Sequence, residues 1–296
     1  MANLRDIRTR IESIKNTQQI TRAMKMVAAA KLRKAQDRII ETRPYASKMK
    51  EVVGRMVENS NDDNVLLDQP DSTDNVLFII VGSDRGLCGG FNNNLFKVAE
   101  AEIKENYSEY QKSGNLSLIC IGRQATKYFG KRDYKVKFEY PGFWDNIEFP
   151  KATKIMKSVI SDFKSGTFDE VNLVFNEFKS VIAQNRLVET LLPIQPDTLV
   201  EDTEDSQQET EYIFEPSADK ILKKLLPLHL NLQLWKAILE SNAAEQGARM
   251  TAMDNATENA QEMKEDLQLE YNRARQSAIT TEISEIISGA QALEEA

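Results

Sequence analysis

The stretch SDRGLCGGFN, residues 83–92, has the composition of a loop that binds phosphate. It follows the apolar run NVLFIIVG, and a glycine-rich turn between a strand and a helix often holds phosphate on its backbone N–H groups. No Gly-Lys pair follows the turn, however, and its glycines lack the G-x-G-x-x-G spacing of a dinucleotide site. Arg85 is the only cation in the turn. We therefore interpret the segment as a tight turn with asparagine capping and not as a nucleotide site.

The residue types that most often carry enzymatic or metal chemistry are scarce. The chain has two cysteines, Cys88 and Cys120, and neither belongs to the C-x-x-C motif of a metal or redox site. We expect both thiols to be buried as small apolar groups. The only histidine, His229, stands between leucines at helical spacing, which indicates packing or a surface position. These counts argue against histidine-based catalysis and leave carboxylate chemistry open.

Length and charge narrow the class of protein. At 296 residues the chain has room for roughly two domains. No apolar run approaches the roughly 18 residues of a membrane span. Charged residues, including Asp6 and Glu12, stand near the N-terminus, unlike a signal or transit peptide, so we expect a cytoplasmic protein. Residues 1–58 carry 14 Lys and Arg against 6 Asp and Glu, which favours contact with an anionic partner surface or with the acidic remainder of the chain.

The basic first segment, residues 1–58, has the apolar spacing of a coiled-coil helix. Alternating steps of three and four residues from Leu4 to Met56 meet an apolar residue at twelve of sixteen positions. At about 1.5 Å per residue, such a helix is roughly 80 Å long. We expect Pro44 to kink it.

The C-terminal segment, residues 217–296, repeats this pattern. Ten of thirteen seam positions from Leu225 to Leu267 are apolar, and the seam then drifts toward the final isoleucines. Pro227 should bend the helix near its start and leave residues 217–226 as a separate turn or two. We expect the two terminal helices to pair as a long antiparallel coiled coil.

Each seam has one polar interruption, which suggests a register for the pair. The interruptions are Gln18, Thr21 and Lys25 in the first helix and Asn242, Gln246 and Arg249 in the second. If they face each other, the numbers of facing residues add up to about 267, although a register one heptad away also fits. The last thirty or so residues then have no partner helix. This apolar tip, with Ile279, Ile283, Ile286 and Ile287, would need another protein around it.

The middle of the chain reads as an α/β domain, residues 75–215. The predicted strands are NVLFIIVG, NLSLICIG, YKVKFEY, EVNLVFNEFKS and RLVETLLPI. Helical patterns intervene at 91–106, 123–130 and 150–164, which predicts a Rossmann-like, partly parallel sheet of about five strands. Residues 59–74 are interpreted as a linker, and the acidic residues 196–211 as a mobile loop.

Several segments resemble one family, the gamma subunits of the F-type ATP synthase. The sequence ITTEISEIISGAQA, residues 279–292, is similar to the signature of that family. NTQQITRAMKMVAAAKLRKAQ resembles its N-terminal helix, and ESNAAEQGARMTAMDNATENA and LEYNRARQ resemble its last helix. SDRGLCGGFN is similar to its first strand-to-helix turn, and YIFEP, residues 212–216, to its lead-in to the last helix. The resemblance extends over nearly the whole chain.

The resemblance implies a central-stalk rotor subunit that couples proton flow to ATP synthesis, and to ATP hydrolysis in reverse. In that family the terminal helices form a coiled coil inside a hexamer of alpha and beta subunits. The α/β domain contacts the epsilon subunit and the membrane rotor ring of c subunits. Catalytic residues lie in beta, so we expect no catalytic residue, cofactor or metal in this chain, no nucleic-acid partner and no membrane insertion. We expect a peripheral protein on the cytoplasmic face of a bacterial inner membrane.

The resemblance also implies contact residues. Those expected to contact the alpha/beta hexamer are Met24, Lys25, Arg249, Gln276, Thr280, Glu282, Ile283 and Ile286. Those expected to contact epsilon or the ring are Tyr212, Phe214 and Glu215. Ordinary alternatives exist for several: Met24 as seam packing, Lys25 as a solvated charge, and Glu282 as a surface acid. The second set has the alternative of an edge strand.

Two other classes of function compete with the rotor interpretation. The first is an enzyme that uses the α/β domain as a nucleotide fold, with Asp84 and Arg85 at its site. The second is a coiled-coil scaffold or chaperone that works alone.

Overall fold

A computed structural model describes residues 4–58, 64–70, 72–195 and 217–294 of the chain. The helices are α1 (Leu4–Glu58), α2 (Phe91–Asn106), α3 (Ser108–Ser113), α4 (Arg123–Phe129), α5 (Phe149–Lys164) and α6 (Ala218–Glu294). The strands are β1 (Val76–Val81), β2 (Leu116–Ile121), β3 (Lys135–Tyr140), β4 (Glu170–Phe178) and β5 (Gln184–Leu192). Each predicted strand is present. Helix α3 was not predicted, because six residues are too few to show a helical period.

The five strands form one mixed sheet in the order β3-β2-β1-β4-β5. Strands β1 to β4 are parallel to one another, whereas β5 is antiparallel to β4. Every residue of β1 and β2 is buried, as continuous apolar runs predict for central parallel strands. The prediction of a Rossmann-like α/β domain with about five strands is confirmed.

The sheet has an apolar core on each face, and alternate residues of β1 point into one core or the other. Phe78 and Ile80 pack on one face with α2 and α4. Leu77 and Ile79 pack on the other face with α5 and with parts of α1 and α6. The apolar stripes of the long helices therefore pack against the sheet as well as against each other.

The chain divides into two compact units, residues 29–249 and residues 1–28 with 250–296. In the first unit, Leu32, Ala35 and Ile39 of α1 pack on Leu239 and Ala243 of α6. In the second unit, the beginning of α1 pairs with the later part of α6. Within each unit the order of contacts runs in opposite directions along the two helices, so the predicted antiparallel pairing is confirmed.

The predicted register of this pairing is wrong. Gln18 donates to Gln261 at 2.9 Å, Thr257 lies 2.8 Å from Thr21, and the numbers of these pairs add up to 279 and 278 instead of 267. Leu4 therefore lies opposite about residue 275. The prediction failed because it placed the two polar interruptions face to face. In the structure, Arg249 instead donates to Gln246 of the same helix and to the carbonyl oxygen of Arg85, in the turn after β1. The part of α6 beyond Leu4 is about 20 residues, roughly 30 Å, and shorter than predicted.

Helix α6 continues through Pro227 without a break, so the predicted separate turn at 217–226 is also wrong. The neighbours Leu226 and Leu230 are fully buried against the sheet, and this packing outweighs the missing N–H of the proline. Helix α1 is likewise unbroken at Pro44.

Some predictions fall on residues that the structure does not describe. The predicted loop 196–211 and the contact residues Tyr212, Phe214 and Glu215 lie outside the described residues. Residues 59–63 and 71 of the predicted linker do so too. The domain boundary at 215 lies outside the described residues as well, and those at 58, 75 and 217 stay predictions. None of the described helices has the length and apolarity that crossing a membrane requires.

Candidate functional site

The turn after β1 is shaped by its backbone and fastened by one asparagine. Leu87 and Gly89 have positive φ, 60° and 58°, which is the left-handed conformation that glycine adopts at no steric cost. The Asn92 side chain accepts the Ser83 N–H at 3.0 Å and donates to the Ser83 Oγ at 2.8 Å. It also donates to the buried Cys88 Sγ at 3.4 Å. The glycine-rich composition thus supports a bend, as interpreted from the sequence. The predicted asparagine capping is wrong, because Gly90 stands at the N-cap of α2 and no side chain caps that end of the helix.

Asp84 ties together the loops at the carboxyl ends of three parallel strands. Its carboxylate accepts backbone N–H groups of Arg123 at 2.9 Å, Gly142 at 2.8 Å and Trp144 at 2.9 Å. These residues follow β2 and β3, and Asp84 follows β1. Because three amides converge on one buried carboxylate, the geometry gives Asp84 a structural role at the place where the enzyme interpretation would put a phosphate or nucleotide ligand.

Helix α6 covers the crevice where doubly wound sheets bind their ligands. In such sheets the ligand lies beyond the carboxyl ends of the strands, where the strand order reverses, here between β1 and β4. At the carboxyl end of β4, the N–H of Phe178 donates to Glu240 Oε2 at 3.1 Å, and the N–H of Asn176 donates to Ser241 Oγ at 3.2 Å. A helix of the chain itself therefore satisfies backbone groups that a bound ligand would otherwise reach.

Arg249 is held by groups of its own chain on the other side of this crevice. Its guanidinium Nη2 lies 3.2 Å from the carbonyl oxygens of both Arg85 and Gly86, in the turn after β1. It also donates to Glu245 Oε1 at 2.6 Å, and Nη1 donates to Gln246 Oε1 at 3.3 Å. Only 9% of Arg249 is exposed, so the structure places this predicted contact residue in internal interactions. Its contact with a partner stays a prediction.

The ion pair of Arg249 involves a buried carboxylate that sequence reasoning missed. Burial raises the pKa of Glu245, and the adjacent Arg249 charge opposes that rise. The other carboxylate oxygen, Oε2, is buried without a hydrogen-bond partner among the described residues. Two signals were present in the sequence: an i, i+4 Glu-Arg spacing and a polar interruption in an apolar seam. Neither reveals that the pair is buried against a turn more than 150 residues earlier in the chain.

Met24 and Lys25 lie where α1 pairs with the later part of α6. The Lys25 Nζ lies 2.5 Å from Asp254 Oδ1, and both side chains are partly exposed. Met24 is half-buried, between Ile20 and Val27, which are both exposed. These three residues have the i, i+4, i+7 spacing of one helix face, so α1 carries a short exposed apolar stripe there.

The other predicted contact residues lie in the C-terminal part of α6. Gln276, Thr280, Glu282, Ile283 and Ile286 are all exposed, and 71% of Ile286 is open to solvent. The spacing of Ile279, Ile283, Ile286 and Ile287 places these isoleucines on one face of the helix. The Thr280 hydroxyl donates to the Gln276 carbonyl at 2.9 Å within the helix. We call residues 276–294 the α6 tip, and the structure brings five of the eight predicted hexamer contacts together on it.

Comparisons with known proteins agree with one another. The ATP synthase family profile matches residues 3–293. The ATP synthase gamma chain of Chlorobaculum tepidum is 50% identical over 296 residues, covering 100% of both chains. That of Salinibacter ruber is 48% identical over 306 residues, covering 100% of this chain and 99% of the relative.

Solved structures show the same fold. A chain of the central stalk and c-ring of the Tetrahymena thermophila mitochondrial ATP synthase is 25% identical, with a TM-score of 0.59, covering 80% of this chain and 99% of that one. A chain from the Euglena gracilis mitochondrial ATP synthase has a TM-score of 0.66 and covers 98% of this chain and 94% of that one, and at 19% identity it supports the fold alone. The chain belongs to the family of ATP synthase gamma chains.

Proposed function

We propose that the chain is the rotating central-stalk subunit of an F-type ATP synthase. It transmits rotation between the membrane rotor ring of c subunits and the catalytic hexamer of alpha and beta subunits, and so couples proton flow to ATP synthesis and, in reverse, to hydrolysis. The observation that carries the proposal is the 50% identity to a gamma chain over the full length of both chains. The exposed apolar α6 tip supports it, because such a surface requires a protein partner.

The paired helices suit the transmission of rotation. Contacts between α1 and α6 combine apolar seam residues with polar pairs such as Gln18 with Gln261 and Thr21 with Thr257. Polar pairs at seam positions fix the register of a coiled coil, so the two helices resist sliding. Resistance to sliding is what a shaft needs when its ends experience opposing forces.

Two surfaces serve contact with the hexamer in this proposal. On the α6 tip, the isoleucines contact their surroundings mainly through dispersion, which leaves no fixed hydrogen bond to break at each rotational step. On the basic α1, charge steers contact with acidic loops of the partner. The remaining proposed contacts are Met24, Lys25 and Arg249 with the hexamer, and the segment 212–215 with epsilon or the ring.

The chain itself carries no catalytic residue in this proposal, and the chemistry belongs to the beta subunits. Asp84 supports this assignment because its carboxylate binds three backbone amides. The cover that α6 forms over the sheet crevice supports it too. We further propose a peripheral position on the cytoplasmic face of a bacterial inner membrane, with no nucleic-acid partner.

The composition of the native complex tests the proposal. The chain, carrying an affinity tag, is purified from membranes of its own cell in mild detergent. We expect alpha and beta subunits with one copy of the chain per six of them, together with epsilon and the c-ring. Recovery of the chain alone or as a homodimer, from cells with active ATP synthase, would refute the proposal and favour the scaffold interpretation.

A further inference from the structure

Helix α6 crosses the carboxyl edge of the sheet with a stretch of small residues. The sequence SNAAEQGA, residues 241–248, places Ala243, Ala244 and Gly247 there, and both alanines are completely buried. A Cβ on Gly247 would stand 3.4 Å from the Phe178 ring and from the Val181 carbonyl oxygen, so helix and sheet edge are in close contact. Helices resist rolling through side-chain ridges that lie in grooves. Small residues form shallow ridges, so packing alone holds this stretch weakly against rotation.

Hydrogen bonds from charged side chains flank residues 241–248 on both sides. At one end, Glu240 accepts the Phe178 N–H at 3.1 Å through Oε2 and pairs with Arg43 at 3.3 Å through Oε1. At the other end, Arg249 donates to the carbonyl oxygens of the turn after β1 at 3.2 Å. Nine residues are about two and a half helical turns, so the two side chains leave α6 on opposite sides.

We propose that Arg249 and Glu240 are positioning residues that fix the rotational setting of α6 on the sheet. A helix attached along one stripe can roll about that stripe, whereas a helix attached on opposite sides cannot roll without breaking one attachment. The inference rests on the proposed rotor function: torque passes between the α/β domain and α6 through these hydrogen bonds. It assigns Arg249 an internal role in addition to any contact with the hexamer.

The surroundings of both residues favour strong attachments. The side chain of Glu240 is 2% exposed and that of Arg249 11% exposed, so water competes little for their hydrogen bonds. Hydrogen bonds with one charged partner are roughly twice as strong as neutral ones. Glu245 holds Arg249 at 2.6 Å and thereby orients the guanidinium toward the turn.

The test measures torsional stiffness in the assembled enzyme. The hexamer is fixed to a surface, a bead is attached to the α/β domain of this chain, and the angular variance of the bead is recorded during catalytic pauses. The variants are Arg249→Gln with Glu240→Ala, which removes both charged side chains and leaves the Ser241 contact with Asn176 in place, and Arg249→Lys with Glu240→Gln, which retains a long cationic donor and an acceptor. The matched control is Arg186→Gln with Glu105→Ala, two exposed residues whose side chains make no ion pair within the described part of the chain.

We expect roughly a two-fold or larger rise in angular variance for the first variant, a smaller rise for the second and none for the control. Proton pumping per ATP hydrolysed should fall in the same order. Wild-type variance and coupling in an assembled Arg249→Gln, Glu240→Ala enzyme would overturn the inference. If that variant does not assemble, the single variants Arg249→Lys and Glu240→Gln decide, since unchanged variance in both would also overturn it. Failure of the rotor proposal is distinguishable, because the wild-type bead would then not turn at all.

Discussion

At the residue scale, buried ionic and polar side chains organise the carboxyl edge of the sheet. Asp84 joins three loops, Glu240 binds the end of β4, and Arg249 binds the turn after β1. Each accepts from or donates to backbone groups that secondary structure leaves unpaired. The edge that binds ligands in many α/β enzymes is thus closed by the chain itself.

The role of Asp84 leads to a stability prediction. In Asp84→Ala, three partly buried backbone amides lose their acceptor, so the free energy of unfolding should fall by about 3 kcal/mol. Asp84→Asn retains one carbonyl oxygen and should lose less. Urea unfolding of the two variants beside the unmodified chain measures the difference. Equal stability of Asp84→Ala and the unmodified chain would show that the carboxylate does not hold the loops.

His229 leads to a prediction about pH. Burial first, and the charge of Lys50 second, lower the pKa of His229 from 6.5 to about 4. Because the unfolded chain then binds a proton that the folded chain does not, the free energy of unfolding should fall as the pH drops from 6.5 toward 4. The loss attributable to this group is about 3 kcal/mol at most.

The matched variant is His229→Gln, which cannot titrate and retains a polar group beside Gln233. Carboxylates titrate in the same range in both proteins, so the difference between the two pH profiles isolates the histidine. Superimposable profiles between pH 6.5 and about 4 would contradict the lowered pKa.

At the element scale, periodicity in the sequence was sufficient to predict most helices and strands. The central strands are apolar throughout because both faces are covered, and the long helices show a seam because they pair. The register was not predictable from the same pattern. A polar residue at a seam position gives the same sequence signal whether its side chain faces the partner helix or a turn beside the sheet. Arg249 faces such a turn, and Glu245 pairs with it.

Cysteine cross-linking tests the observed register. With Cys88 and Cys120 replaced, the pair Thr21→Cys and Thr257→Cys should form a disulfide under mild oxidation, because the two hydroxyls lie 2.8 Å apart. The pair Thr21→Cys and Gln246→Cys, which matches the register predicted from the sequence, should stay reduced. Electrophoresis under non-reducing conditions separates the looped from the linear chain. A cross-link in the second pair and not in the first would contradict the structure.

At the scale of the whole molecule, the exposed α6 tip was predictable from sequence, whereas the edge contacts were not. A run of isoleucines at helical spacing beyond the end of the seam indicates a surface for a partner, and the structure leaves it exposed. The contacts of Asp84, Glu240 and Arg249 depend on tertiary proximity between residues separated by 39 to 164 positions, which no local pattern encodes.

Removal of residues 280–296 tests the role of the α6 tip. The deleted residues described by the structure are exposed, so the α/β domain should fold as before. Assembly with the hexamer, or ATP turnover of the assembled enzyme, should fall because the apolar contacts are lost. Circular dichroism controls for folding, and complex yield and turnover are the readouts. Unchanged assembly together with unchanged coupled synthesis would count against a bearing role for the tip.

The most direct test of the rotor proposal is to watch this chain move during catalysis. The alpha/beta hexamer is anchored to glass, a bead is attached to the α/β domain of the chain, and ATP is added. We expect unidirectional rotation that stops when ATP is removed. Sustained ATP hydrolysis by anchored complexes that contain the chain, with beads that show only Brownian motion, would contradict the proposal.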